Sequence, residues 1–184
     1  MSNQLAVLFP GIGYHIDKPL LYYSAKLARA RGYDLLAVQY PALPTGLRGH
    51  AEKIEQAVQT ALSAAEEQLT AIDWTAYDRV FFLSKSIGTA IAARYAVQHN
   101  IHPRQVYYTP IEQALPYLDP TGIAFHGTAD PWADTEMIQN GCRKIGLPLY
   151  LTENANHSME TGDTLNDIFI MHDIMDETAH WQES

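Results

Sequence analysis

The sequence predicts a three-layer α/β/α sandwich around a mainly parallel, six-stranded sheet. Two observations carry that prediction. Short apolar runs alternate with segments of helical periodicity along the whole chain, a succession that specifies parallel strands joined by right-handed crossovers. The apolar runs are also nearly continuous, which fits strands covered on both faces. The 184 residues, 47 % of them hydrophobic and 18 % charged, suit one domain over residues 1–184 with a full core.

The elements follow in order. Leu5 to Phe9 reads as a buried strand and ends in the loop Pro10-Gly11-Ile12-Gly13. Pro19 to Arg31 carries Leu20, Leu21, Ala25, Leu27 and Ala28 at helical spacing, with Gly32 as a stop. Tyr33 to Tyr40 is the next strand, followed by a Pro/Gly-rich loop to Gly49. Ala51 to Ile72 is a long helix with Ile54, Ala57, Val58, Ala61, Leu62, Ala65 and Leu69 on one stripe. Arg79 to Leu83 is a strand. The helix from Ile87 to His99 is apolar nearly all round at its start, so it should be buried. Gln105–Thr109, Gly122–His126 and Leu147–Leu151 complete the strands. Glu136–Ile145 and Leu165–Trp181 complete the helices.

Composition narrows the function classes. The formal net charge of −9 disfavours nucleic acid and anionic membranes as partners. The single cysteine, Cys142, forms no internal disulfide and suits a reducing, cytoplasmic setting; it falls in a helical pattern as buried filler. The first residues carry no basic, apolar signal segment, and no apolar run approaches the ~20 residues that span a bilayer. No histidine pair has a metal-binding spacing such as H-x-x-x-H.

In a parallel sheet, ligands gather beyond the carboxyl ends of the strands. The most informative loop there is Ser84-Lys85-Ser86-Ile87-Gly88, a serine between small residues at an abrupt strand-to-helix turn. The same residues also fit a helix N-cap. Read as a nucleophile elbow, the turn needs small residues two positions either side of Ser86; Ser84 stands where G-x-S-x-G has its first glycine. A serine hydroxyl needs a base, and the base needs an orienting group. Two further loops on the same sheet edge carry candidates: His126-Gly-Thr-Ala-Asp130-Pro-Trp-Ala-Asp134, and Thr152-Glu-Asn-Ala-Asn-His157-Ser-Met-Glu160.

In four ordered pieces the chain resembles a small, lidless member of the α/β-hydrolase superfamily, and the likeness covers nearly all of it. The pieces are the first strand with Pro10-Gly-Ile-Gly13, the Ser86 elbow, Gly127-Thr-Ala-Asp130, and the Asn156-His157 loop. The resemblance implies Ser86 as nucleophile, Asp130 as the acid and His157 as the base, with Asp134 as the competing acid. It implies an oxyanion hole from the N–H groups of Ile87 and Ile12, Gly13 being the alternative, although the family's frequent His-Gly is here Pro10-Gly11. It implies no cofactor and no metal. Only about a dozen residues separate Thr109 from Gly122, too few for a cap domain. The substrate pocket is expected among Gly13, Tyr14, Tyr40, Tyr108, Trp132 and Met159. The activity so implied is hydrolysis of a small carboxylic ester, its partner a small-molecule acyl substrate. The alternatives are an amidase, aminopeptidase or thioesterase on the same residues, or a binding protein that keeps the fold without turnover. Lys85, a charge beside the candidate nucleophile, is left pointing to solvent or to an acidic substrate group. Oligomeric state is left open.

Overall fold

The structure, a computed structural model, describes residues 3–183. Six strands form one sheet: β1 (Gln4–Phe9), β2 (Asp34–Ala37), β3 (Arg79–Lys85), β4 (Arg104–Tyr108), β5 (Ile123–Gly127) and β6 (Leu149–Thr152). Their spatial order is β2-β1-β3-β4-β5-β6, and every neighbouring pair is parallel. The helices are α1 (Pro19–Ala30), α2 (Ala51–Leu69), α3 (Ile87–Gln98), α4 (Thr135–Ile145) and α5 (Thr164–Glu183). The connection between β4 and β5 holds only a short 3₁₀ turn, Glu112–Tyr117, and no cap domain.

Strand alternation sends side chains to two cores. Leu5, Val7, Phe9, Phe82 and Tyr107 pack with the buried stripes of α2, α3 and α4. Ala6, Leu8, Phe81, Leu83, Val106 and Tyr108 pack on the other side with Leu20, Leu21 and Ala28 of α1 and Ile174 of α5. From Ile87 to Ala96, every residue of α3 is buried, as its all-round apolar start predicts. Arg94 on α3 clamps Glu55 on α2 through two bonds of 2.6 and 2.7 Å, joining the helices of the first layer.

The edge strands are shorter than the sequence suggests. β2 reads as Tyr33–Tyr40 but its ladder ends near Val38, whose N–H reaches the Leu8 carbonyl at 2.9 Å. Beyond it the side chain of Gln68 takes both backbone groups of Gln39, accepting from its N–H at 2.9 Å and donating to its carbonyl at 2.7 Å. β6 starts at Leu149 because the Leu147 N–H is spent on the Cys142 carbonyl at the end of α4, and Pro148 has no N–H to give.

Candidate active site

Three loops at the carboxyl edge of β3, β5 and β6 converge. Ser86 sits between β3 and α3 at φ 57°, ψ −124°, a sharp turn that a non-glycine residue adopts only under tertiary constraint. Gly88 allows it: a Cβ there would stand 2.1 Å from the Phe9 carbonyl oxygen. Ser84, the departure from glycine, is buried and donates its hydroxyl to the Val106 carbonyl at 2.9 Å. Its side chain therefore ties β3 to β4.

Asp130 follows β5 in a turn closed by its own N–H to the Gly127 carbonyl, 3.1 Å. Its carboxylate accepts the Trp132 N–H on Oδ1 at 2.8 Å and meets His157 Nδ1 on Oδ2 at 2.6 Å. A carboxylate can only accept, so Nδ1 carries the proton. In the neutral ring Nε2 then accepts the Ser86 hydroxyl, 2.7 Å away. The three residues named from the sequence are thus brought into one hydrogen-bonded chain. Asn156 folds the His157 loop by accepting the Ser158 and Glu160 N–H groups on its side chain at 2.7 and 3.2 Å. Asp134 lies elsewhere: it caps α4, accepting the Met137 N–H at 2.9 Å.

Two backbone N–H groups belong to residues that line the same region, Ile87 and Ile12. That of Ile87 opens α3, where no intrahelical acceptor exists. Ile12 lies at the tip of a tight turn held by mutual bonds between Gly11 and Tyr14 at 3.1 and 3.3 Å, and among the described residues its own N–H has no partner. Beside Ser86 opens a cavity of about 200 Å³, walled by Ile12, Gly13, Tyr14, Leu47, Ile54 and Ile87, with Ile111, Trp132, His157 and Ser158 closing it. Its apolar wall belongs largely to the α2/α3 side of the sheet.

The pocket expectations divide on that geometry. Gly13, Tyr14 and Trp132 line the cavity; Tyr40, Tyr108 and Met159 do not. Tyr40 is half-buried against the first core with its hydroxyl enclosed. Tyr108 projects from β4 to the opposite face, where its hydroxyl meets Ser24 at 2.7 Å and Thr178 at 2.8 Å. Met159 is fully buried in that same far core. Leu47, Ile54, Ile111 and Ser158 also line the cavity, and the sequence pattern assigns none of them to the pocket.

Lys85 is the largest surprise. Alternation along β3 places it with Phe81 and Leu83, so it faces neither solvent nor the cavity beside Ser86. It is fully buried, and among the described residues Nζ has no hydrogen-bond partner. The ammonium stands over the Tyr14 ring, 4.8 Å from its centre. Burial drops its pKa to about 7, against the opposing pull of Asp130. His157 is also held below its usual value, chiefly by burial; the Asp130 bond opposes this and the Lys85 charge adds to it. His126, behind Asp130 with Nδ1 3.8 Å from Oδ2, is lowered by burial as well. Among the described residues no cluster of three or more His, Cys, Asp or Glu side chains could hold a metal ion, and no helix is long and apolar enough to cross a membrane.

No protein-family model matches the chain. No curated protein sequence matches it either. Solved structures do. A lidless α/β serine hydrolase from Xanthomonas campestris superposes with a TM-score of 0.61 at 15 % identity, covering 98 % of this chain and 84 % of that one. An α/β serine hydrolase homologue from Coxiella burnetii gives 0.64 at 15 % identity, with 96 % and 85 % covered. An esterase from Pyrococcus furiosus gives 0.66 at 12 % identity, with 99 % and 83 % covered. At these identities the likeness is one of fold: the chain has the lidless form of the α/β-hydrolase fold.

Proposed function

We propose that the protein is a serine hydrolase that cleaves small carboxylic esters by acyl transfer. The observation that carries the reading is the unbroken chain Asp130–His157–Ser86, with bonds of 2.6 and 2.7 Å, opening onto a small apolar cavity. The esterase and serine-hydrolase names among proteins of the same fold support it.

The mechanism follows from the geometry. His157 Nε2 takes the Ser86 proton as Oγ attacks the ester carbonyl. The imidazolium that forms is stabilised by Asp130, whose second oxygen stays anchored by the Trp132 N–H. The Ile87 and Ile12 N–H groups receive the tetrahedral oxyanion. His157 returns the proton to the leaving alcohol, and a water, activated by the same ring, releases the acid. A lowered imidazole pKa keeps the base form populated at neutral pH. The cavity, about 200 Å³ and walled by Leu47, Ile54, Ile87, Ile111 and Trp132, fits a short acyl chain.

A fluorophosphonate probe tests the reading. Stoichiometric labelling of wild type, absent in Ser86→Ala, together with turnover of p-nitrophenyl acetate or butyrate, is the expected result. A folded wild-type protein that takes no label is a binding protein instead. Turnover of aminoacyl anilides or acyl thioesters in preference to esters moves the substrate to those classes.

A further inference from the structure

The α1/α5 side of the molecule is unfinished. Tyr22 and Tyr23 on α1 are 41 and 47 % exposed, and Leu165, Ile168 and Phe169 on α5 are 71, 59 and 70 % exposed. Between the helices runs a groove of about 680 Å³, lined among others by Pro19, Tyr23, Ile168, Met171 and Met175. An apolar surface of this kind marks an interaction site.

Charge on the outer flanks of the two helices, beside β2 and β6, is divided by helix. α1 carries Lys26 and Arg29, with Lys18 just before it, and has no acidic residue. Among the described residues none of these three cations has a carboxylate partner; Lys26 rests only over the Tyr22 ring at 5.3 Å. From Thr164 to Gln182, α5 carries Asp167, Asp173, Asp176 and Glu177 and no lysine or arginine. A uniformly basic partner would suit α5 and be repelled by α1; an acidic one would do the reverse. A surface that is basic on one side of an apolar groove and acidic on the other is complementary to itself.

We propose that this face is a twofold interface for a second copy of the chain, with α1 of each protomer lying over α5 of the other. Both helices follow parallel strands, so they run in the same direction across the face. A twofold axis along the groove sets α1 on the partner's α5 and matches the charges. The axis across the groove would set like on like. Such an interface is isologous: each contact occurs twice. Tyr22, Tyr23, Ile168 and Phe169 form its apolar centre, and Lys26, Arg29, Asp173 and Asp176 its charged rim.

Sedimentation velocity of the full chain, from about 1 to roughly 100 μM, is the first measurement. A dimer is expected that weakens as salt rises, since the rim pairs are screened. Ile168→Glu/Phe169→Glu should sediment as a monomer while keeping its circular dichroism spectrum. Lys26→Glu/Arg29→Glu and Asp173→Lys/Asp176→Lys should each be monomeric alone, and an equimolar mixture of the two should form a heterodimer, because both contacts then pair opposite charges. A wild-type monomer at every concentration overturns the proposal. So does a dimer untouched by the glutamate pair, or a mixture of charge-reversed chains that stays monomeric.

Discussion

Two cavities flank the His157 loop, and they differ in every respect that matters. The one beside Ser86 measures about 200 Å³; the groove between α1 and α5 measures about 680 Å³. Ser158 walls the first and Met159 the second, so one loop separates them. The smaller cavity brings together a hydroxyl, an imidazole and the backbone of Ile12 and Ile87 from three separate loops. The larger holds no such convergence; it is a seam between two helices with apolar side chains left outside. Size therefore says little about chemistry here. The layer of α2 and α3 closes on itself and frees its rim for a small, organised pocket. The layer of α1 and α5 leaves Tyr22, Tyr23, Leu165, Ile168 and Phe169 exposed.

The comparison breaks most decisively at Ser86. Ser86→Ala should lower kcat for p-nitrophenyl butyrate by four or more orders of magnitude. Asp130→Asn should cost about 10⁴, because the ring would lose the acceptor that fixes its tautomer. Neither change should alter sedimentation. If both variants keep wild-type turnover, the smaller cavity is not where the reaction occurs.

Next in size is Gly88→Ala. Its Cβ would lie 2.1 Å from a backbone oxygen, so α3 or β1 must move. A loss of about 3 kcal/mol or more in urea-unfolding free energy is expected. An unchanged midpoint would mean that the elbow is looser than its angles suggest.

A narrower cavity should bring a smaller, more selective effect. Ile111→Trp ought to raise KM for a butyrate or hexanoate ester about tenfold while acetate turnover changes little. Equal losses across the series would place the acyl chain outside this wall.

The smallest expected effect is on pH dependence, and Lys85→Met isolates it. In the proposed mechanism His157 acts in its neutral form, and its pKa lies below the usual histidine value. Activity should therefore fall only at pH below about 6.5. Removing the Lys85 charge removes one cause of that depression, so the acidic limb of kcat/KM should move to higher pH. Stability shifts in the same experiment. The lysine pKa is about 7 in the folded protein and 10.5 unfolded, so the unfolded chain binds more protons between those values. Wild-type stability rises with pH across that window, and the lysine's cost is fully present below it. The methionine variant should lose that rise and gain about 1–3 kcal/mol of unfolding free energy at pH 7. A variant whose acidic limb stays in place shows Lys85 too weakly coupled to His157 to matter.

The order of strands and helices was legible because each element carries its own periodicity. Ile87 to Ala96 betrays its burial by being apolar on every side, and Gly146 marks the end of α4 in a left-handed turn. The strand edges were less legible. Nothing near Gln39 signals that Gln68, on α2, occupies its backbone. The pocket divides the same way. Ser86, Asp130 and His157 stand out because reactive residue types fall directly after strands. Which apolar groups surround them depends on which face of the sheet each strand residue takes. Tyr108 shows the cost of ignoring that: it pairs in register with Lys85, and both point away from the cavity. Leu47, Ile54 and Ile111 reach the site from three separate segments, a meeting that no local pattern encodes.

The enclosed amine of Lys85 also makes a reporter. Acetylating reagents modify solvent-accessible lysines within minutes, but this one is sealed under Tyr14 at full burial. Its acetylation in the native protein must therefore wait for a local opening of the structure, lifting of the first loop being one route. Peptide mass spectrometry of that single position would time the breathing of the site from beneath, without a substrate and without a mutation.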